Sequence, residues 1–222
     1  QGPKAKVYFS KRIDPETLIM LYGLINGDIR GKTAIKLHTG ERKGPNILPR
    51  LMVQAFQSTV PDSVIVETNT LYEGDRYTTE QHKKTLEING WNFCPVDIMD
   101  EEGTVDLPVK GGRHFKAVSM GGHIVNYESM IVLTHFKGHA MGGFGGSMKI
   151  LRLGAPTAAS ERLRCTPSRT RRAPGANGPR RSSSWKTWPS PPSVCDHFAP
   201  HITFINVMRR MSVNCDCAGL AA

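Results

Sequence analysis

The sequence contains no run of eighteen or more apolar residues, which excludes a bilayer-spanning helix. It also lacks a basic-then-apolar leader, opening instead on Gln1, Gly2 and Pro3 without an initiator Met. Cysteine is scarce, five in 222 residues, too few for the disulfide framework of a secreted scaffold. These absences point to a soluble, cytoplasmic chain, long enough to bury a substantial core. Acids are outnumbered, 19 Asp and Glu against 29 Lys and Arg, for a formal charge of +10. An excess of that size ordinarily points to a polyanionic partner. Its location along the chain removes that inference.

Between Arg152 and Ser193 stand eight Arg, one Lys and a single acid, Glu161, so this stretch alone carries +8. It holds seven of the fifteen prolines and no Ile, Val, Phe, Tyr or Met. A stretch so poor in core-forming side chains cannot offset its own ordering entropy and is expected to be disordered or badly packed. Three readings compete: a basic arm for nucleic acid or an anionic membrane, an inert Pro/Ser-rich tether, and GC-rich codons read one base out of frame. The flanks favour the third, because α/β patterning runs cleanly to Lys149 and resumes near Val194. Arginine runs without interleaved aromatics are weak evidence for base recognition. Neither nucleic acid nor membrane is therefore expected as a partner.

Outside that stretch, strand and helix signals alternate. Lys6–Phe9 reads as a short strand. Asp14, Pro15 and Glu16 then start a helix over Leu18–Ile25 that Gly27 closes. Strands follow at Lys32–Leu37, Ser63–Glu67 and Pro95–Met99. Helical segments lie between them, at Leu48–Phe56 and from Thr78–Glu80 to Asn89-Gly90. This alternation predicts an α/β fold, a mainly parallel sheet with helices on both faces. Val105–Pro108, His114–Ser119 and His123–Val125 read as a small antiparallel excursion around residues 104–126. Met130–Thr134 returns to a buried strand, and His201–Met208 is the last. Residues 1–150 form the main part of the domain, 151–193 the aberrant segment, and 194–222 the returning strand and Cys-containing loop of the same domain, cut short. Ligands of open α/β sheets bind beyond the carboxyl ends of the strands. His38 and Glu41, Glu67 and Asn69, Thr134, His135, Lys137 and His139, and Asn214 to Cys217 all fall at such ends.

The densest chemistry lies in THFKGHAMGGFGGSMK, Thr134–Lys149. His135 and His139 follow a buried strand and straddle Gly138, so both turn toward one point as metal ligands or proton carriers. Gly142, Gly143, Gly145 and Gly146 allow close backbone approach and offer amides to an anion at a helix start, with Lys149 in the first turns of that helix. The Gly-Lys-Ser/Thr ending of a P-loop is absent, and GGFGG has the wrong spacing for a dinucleotide fingerprint. A cofactor, metal or small anion fits this segment; the competing reading is a flexible glycine connection with two surface histidines.

Cys215 and Cys217 suit shared metal or iron–sulfur ligation, although two thiolates do not complete a four-cysteine cluster. The alternative is a pair of reduced, unliganded thiols. Cys94 and Cys195 are poorly placed to complete the set, and Cys165 lies in the aberrant segment. Ala222 comes five residues after Cys217, so further ligands are expected beyond it. His38, Glu41, Arg42 and Lys43 share one strand-to-helix loop with Asn46 as N-cap, which suits an anionic substrate or second metal ligands. A solvated charged loop fits equally well. His82 and His114 read as structural or surface residues, and Asp97 and Asp100 as sheet-edge acids or turn caps.

The stretches KVYFS, AIKLHTGE, PVDIMDEEG, LPVKGGRHF, MIVLTHFKGHAMGGFGGSMK and ITFINVMRRMSVNCDC, in this order, resemble the bacterial and archaeal family called domain of unknown function 362, described as uncharacterised iron–sulfur centre proteins. The resemblance covers residues 4–149 and about 194–217. It implies an iron–sulfur or other metal centre at Cys215 and Cys217 and a redox partner. The sequence departs from the family after Lys149, where an apolar helix is expected, beyond Cys217, where members continue, and in having no ferredoxin-type cysteine run. A more distant resemblance is to the nickel-pincer lactate racemases. It implies cofactor or metal contacts at His135, His139 and Lys149; the strand-edge histidines, His38 among them, are expected to line the same cleft. Three functional expectations result. One is a metal- or iron–sulfur-binding or redox protein. Another is an enzyme on a small hydroxy or carboxylic acid, with His135 and His139 as ligands or acid–base pair and Lys149 holding the anion. The last is a frame-damaged fragment without activity.

Overall fold

The computed structural model describes residues 5–44, 47–70, 73–111, 116–139, 143–153 and 190–209. Most of the expected out-of-frame segment, residues 154–189, lies outside them, as do Asn46, His114, Gly142, Cys165, Cys215 and Cys217. The elements, in chain order, are α1 (Pro15–Gly23), β1 (Thr33–Lys36), α2 (Arg50–Gln57), β2 (Ser63–Glu67), α3 (Thr79–Ile88), β3 (Val96–Ile98), β4 (Thr104–Pro108) and β5 (Ala117–Gly121). A 3-10 helix (Gly122–Asn126) leads to β6 (Ser129–His135), β7 (Lys137–His139), β8 (Gly143–Gly145), α4 (Ser147–Leu153), α5 (Ser190–Phe198) and β9 (Ile202–Val207).

Five strands form one parallel sheet in the order β3-β2-β1-β6-β9, while β4–β5 and β7–β8 pair as small antiparallel ribbons. The α/β architecture matches the expectation, and its cause is visible in the strands. All four residues of β1 and six of the seven in β6 are buried, as strands covered on both faces must be. One face carries Leu18, Tyr22, Val53, Phe56 and Leu86 from α1, α2 and α3, packed on Ile35, Ile65 and Ile131. The other carries Leu151 and Phe198 from α4 and α5, with Val118 and Ile124, on Ala34, Val66 and Val132. The i, i+2 alternation of each strand thus feeds two cores.

Local signals explain most boundaries. Asp14 caps α1 by accepting from Thr17 N at 2.8 Å, with Pro15 in the first turn. Thr78 and Gln81 form a reciprocal capping box on α3. Pro191 and Pro192 fall in the first turn of α5, where a missing N–H costs nothing.

Four readings of the sequence need correction. Lys6–Phe9 forms no strand: Val7 and Phe9 are 87% and 72% exposed, and an apolar run without a neighbouring strand has no ladder to join. Tyr8 and Phe9 instead line a cavity of about 100 Å³ with Ile13, Leu18, Ile205 and Val207. Helix α1 stops at Gly23 and not at Gly27, because Leu24 and Ile25 tighten into i→i+3 bonds to Leu21 and Tyr22. Helix α2 takes Pro49 as its N-cap, not Asn46. His123–Val125 belongs to the 3-10 helix, held by Gly122 N to Gly103 O (2.8 Å) and His123 N to Met99 O (3.0 Å).

That turn passes so close to β3 that a Cβ on Gly121 would lie 2.7–2.9 Å from the Cβ and backbone of Met99. Gly121→Ala is expected to destabilise by about 1–3 kcal/mol, because backbone must shift to admit the methyl. Gly74→Ala, with open space around it, is expected to be neutral; urea unfolding of the two variants checks this.

Candidate functional site

The strand order reverses at β1. The chain runs outward through β2 and β3, then crosses back to β6 and β9 on the other side. The carboxyl ends of β1 and β6 therefore flank the topological switch point, where open α/β sheets leave a crevice. The residues beyond those ends build two adjoining halves of one site.

The first half is a buried ionic network. Lys36, the last residue of β1, is fully buried and donates to Glu67 Oε2 at 2.5 Å and to the Leu37 carbonyl at 2.9 Å. Glu67, the last residue of β2, uses its other oxygen to accept from Thr39 N (2.8 Å) and Thr39 Oγ1 (2.9 Å). Arg76 Nη1 lies 3.9 Å from the same oxygen. Burial would raise the Glu67 carboxyl, but Lys36, His38 and Arg76 outweigh it and hold the group well below the usual range. Lys36 is pulled down by burial, opposed by Glu67. His38 Nδ1 stands 3.8 Å from Glu67 Oε1, and burial lowers its pKa to about 4 despite that carboxylate, so the ring is neutral at pH 7.

Above the network, residues 39–43 are clamped from outside. Asn89, the C-cap of α3, donates through Nδ2 to the carbonyls of Thr39, Gly40 and Glu41 and accepts from Lys43 N. Trp91 Nε1 donates to Thr39 O at 2.8 Å. Glu41 takes Arg76 Nη2 at 2.5 Å and Nε at 3.3 Å, and Arg42 pairs with Asp75 at 3.1 Å. The charged loop is thus a fixed platform, and Glu41 is a partner of Arg76 rather than a solvated acid. His82, entirely buried, bonds Asn69 Oδ1 through Nδ1, and burial lowers its pKa to about 4.

The second half lies at β6 and β9. Asn206 Oδ1 accepts from Thr134 Oγ1 (2.8 Å), Ser147 Oγ (3.0 Å) and Ser147 N (3.1 Å), so a carboxamide from β9 caps α4. A Cβ on Gly146 would lie 3.0 Å from both Asn206 Oδ1 and the Phe136 ring, which accounts for glycine there. The glycine segment is a ribbon: Gly143 and Gly145 pair with His139 and Lys137, and Phe144 stacks on Phe136 at 5.4 Å. Burial is the main cause of the lowered His38 pKa, and Arg76 and, least of all, Lys149 add to it. His135 Nε2–H donates to the Arg209 carbonyl. Its Nδ1 is left buried, with no hydrogen-bond partner among the described residues.

His38, His135, Gly145, Gly146 and Lys149 thus gather at the switch point. For His139 and Gly143 only the backbone is described, and Gly142, Cys215 and Cys217 lie outside the described residues. Reading the sequence missed Lys36, Thr39, Arg76 and Asn89. One signal was present: Lys36 stands among Ala34, Ile35 and Leu37 in a strand fit for burial, and Glu67 ends the next such strand with the opposite charge.

The described residues do not fit an iron–sulfur cluster or a metal ion. No group of three or more His, Cys, Asp or Glu among them is disposed to hold a metal. Cys94 and Cys195 pack against the cores on opposite faces of the sheet, and burial pushes both thiols up, Cys94 to about 11. No helix among the described residues is long and apolar enough to cross a membrane.

The family model described as Domain of unknown function (DUF362) matches residues 33–221, a span that includes every strand of the parallel sheet. The chain belongs to this family. No curated protein matches this DUF362 member. A solved structure, the lactate racemase apoprotein from Thermoanaerobacterium thermosaccharolyticum, resembles it at 12% identity with a TM-score of 0.44. That match covers 66% of the DUF362 chain, which spans only 38% of the racemase. A likeness this slight does not bear on activity.

Removing one partner of a buried pair strands the other charge, so Lys36→Met is expected to cost about 3–5 kcal/mol. In Lys36→Met/Glu67→Gln the loss should be smaller than the sum of the singles, with a coupling above about 1 kcal/mol by urea unfolding of all four proteins.

Stability should also fall on acidification. His38 and His82 stay neutral in the folded chain down to about pH 4. The unfolded chain protonates them from about 6.5 downward. Between those values the unfolded state binds more protons, so each ring withdraws on the order of 3 kcal/mol as pH falls. Glu67, with its lowered pKa, extends the loss below that window. His123 acts oppositely: its bond to Asp97 raises it, so its contribution is present in acid and lost as pH rises through its folded value. Unfolding curves at steps from pH 7 to 4 should show the decline, and His82→Phe should flatten it.

Proposed function

We propose that the protein binds a small anionic ligand at the carboxyl edge of its parallel sheet, between β1 and β6. The observation that carries this reading is the topology: His38 follows β1, and His135 and α4 with Lys149 follow β6, the two strands that flank the switch point. A neutral imidazole offers a donor or acceptor, an ammonium offers charge, and the clamped platform holds the loop between them in place before any ligand arrives. His135, with its buried Nδ1, supplies a third polar contact from β6. In the enzymatic form of this reading the ligand is a small hydroxy or carboxylic acid. His135 and His139 then carry protons and Lys149 holds the carboxylate.

A second reading, a metal or iron–sulfur centre at Cys215 and Cys217 with His135 and His139 near it, is favoured by the C-x-C spacing and the buried His135 Nδ1. It would make the protein a partner in electron transfer.

Calorimetric titration with acetate, glycolate and malonate tests the first reading. At least one of them is expected to bind, with affinity at least tenfold lower in Lys149→Met. No heat with any of the three removes it. Thiolate-to-iron absorbance in anaerobically prepared protein, lost in Cys215→Ala, would instead support the second.

A further inference from the structure

The tripeptide Ile-Asn-Gly stands twice among the described residues, as Ile25-Asn26-Gly27 after α1 and as Ile88-Asn89-Gly90 at the end of α3. An asparagine followed by glycine is the one most open to attack by its own backbone, because no side chain on the next residue keeps that N–H away from the carboxamide carbon. Identical neighbours give both asparagines the same intrinsic chemistry. Any difference in reactivity between them is therefore imposed by the fold.

The two environments are opposite. Asn89 is 6% exposed, and its carboxamide is engaged at both ends: Nδ2 donates to the carbonyls of Thr39, Gly40 and Glu41, and Oδ1 accepts from Lys43 N. The Gly90 N–H, which would be the attacking group, donates to Glu87 O at 2.9 Å. Attack there must wait for the platform to open. Asn26, Gly27 and Asp28 are all exposed. The Asn26 carbonyl accepts from Ile29 N at 3.0 Å and closes a turn, but neither its carboxamide nor the Gly27 N–H has a hydrogen-bond partner among the described residues. A Cβ on Gly27 would meet nothing within 4 Å, so there is room for a ring to form.

We propose that Asn26 is a site of spontaneous backbone modification, closing to a succinimide with Gly27, and that the clamp on the platform shields Asn89 from the same reaction. The Gly27 nitrogen bonds to Asn26 Cγ and gives up its proton. The Cγ–Nδ2 bond breaks, and the nitrogen leaves with that proton as ammonia. Water then opens the ring at either carbonyl, leaving aspartate or isoaspartate; nothing is oxidised or reduced. The product adds a negative charge to the connection that enters the amino end of β1, at the opposite edge of the sheet from the switch point. At Asn89 it would set a carboxylate against three carbonyl oxygens, which the platform could not hold.

The test is incubation of the full chain at pH 8 and 37 °C, native and in guanidinium chloride, followed by peptide mapping with isoaspartate resolved from aspartate. In the native protein Asn26 is expected to convert about tenfold or more faster than Asn89, and in denaturant the two rates should converge. Mapping keeps both apart from Asn177-Gly178, which lies outside the described residues. Gly27→Ala, with open space for its methyl, should slow conversion at Asn26 about tenfold or more while keeping wild-type circular dichroism. If that variant does not fold, the native and denatured rates of the unaltered chain decide alone. Equal rates at the two sites in the native protein, or conversion of Asn26 only in denaturant, overturn the proposal. Rates that stay unequal in denaturant overturn the role given to the clamp.

Discussion

Two buried parallel strands end side by side, one on an ammonium and the other on a carboxylate, and the surrounding structure is arranged so that both charges can stay there. Lys36 and Glu67 lie beyond the reach of water. Either alone would cost several kcal/mol of desolvation. Together they share a 2.5 Å contact and use their remaining hydrogen-bonding capacity on Leu37 O and on the backbone and hydroxyl of Thr39. Thr39 is in turn the first residue of the clamped platform. The register of β1 against β2 places Lys36 opposite Val66, one residue short of Glu67, and the ammonium reaches the carboxylate at the strand ends. A slip by one residue would exchange the faces on which the β1 side chains lie, taking Ile35 out of one core and Ala34 out of the other.

From that pair the site inherits its stiffness. Because Glu67 holds Thr39, Trp91 holds its carbonyl, and Asn89 holds that carbonyl and the next two, the loop after β1 has few conformations left to lose. The groups around His38 are thus ordered in the absence of any ligand. The opposite half is ordered by Asn206, which reaches from β9 to join Thr134 and Ser147. The start of α4, expected to present its amides to an anion, is thus engaged by a side chain of the protein itself at Ser147 N.

Most of the fold was legible because its signals are local. The capping box at Thr78–Gln81, the Asp14-Pro15 start and the apolar runs of β1, β2, β6 and β9 each lie within a few residues. The family resemblance was legible too, and the DUF362 match confirms it over residues 33–221. Lys6–Phe9 misled because an apolar run specifies a strand only if a neighbour offers a ladder. His123 misled because a side-chain bond to Asp97, 26 residues away, helps hold its turn in place. Of the site, the histidines and Lys149 were readable by residue type and position after strands. Arg76, Asn89 and Asn206 were not, since each acts through partners 35 to 72 residues distant. Only sheet order brings those partners together.

Strand β9 pairs with β6, and α5 packs against α4, across residues 154–189. Closing a chain loop costs an entropy that grows only with the logarithm of its length: even for an unstructured connection, doubling the number of residues adds about 0.6 kcal/mol. The parallel sheet is therefore only weakly sensitive to how many residues intervene there. Pressure on that interval from folding stability is weak, while pressure on Asn206, which must complete the cap of α4 from the far side of it, is strong. A lesion at Asn206 would consequently loosen the start of α4 inside an otherwise assembled sheet.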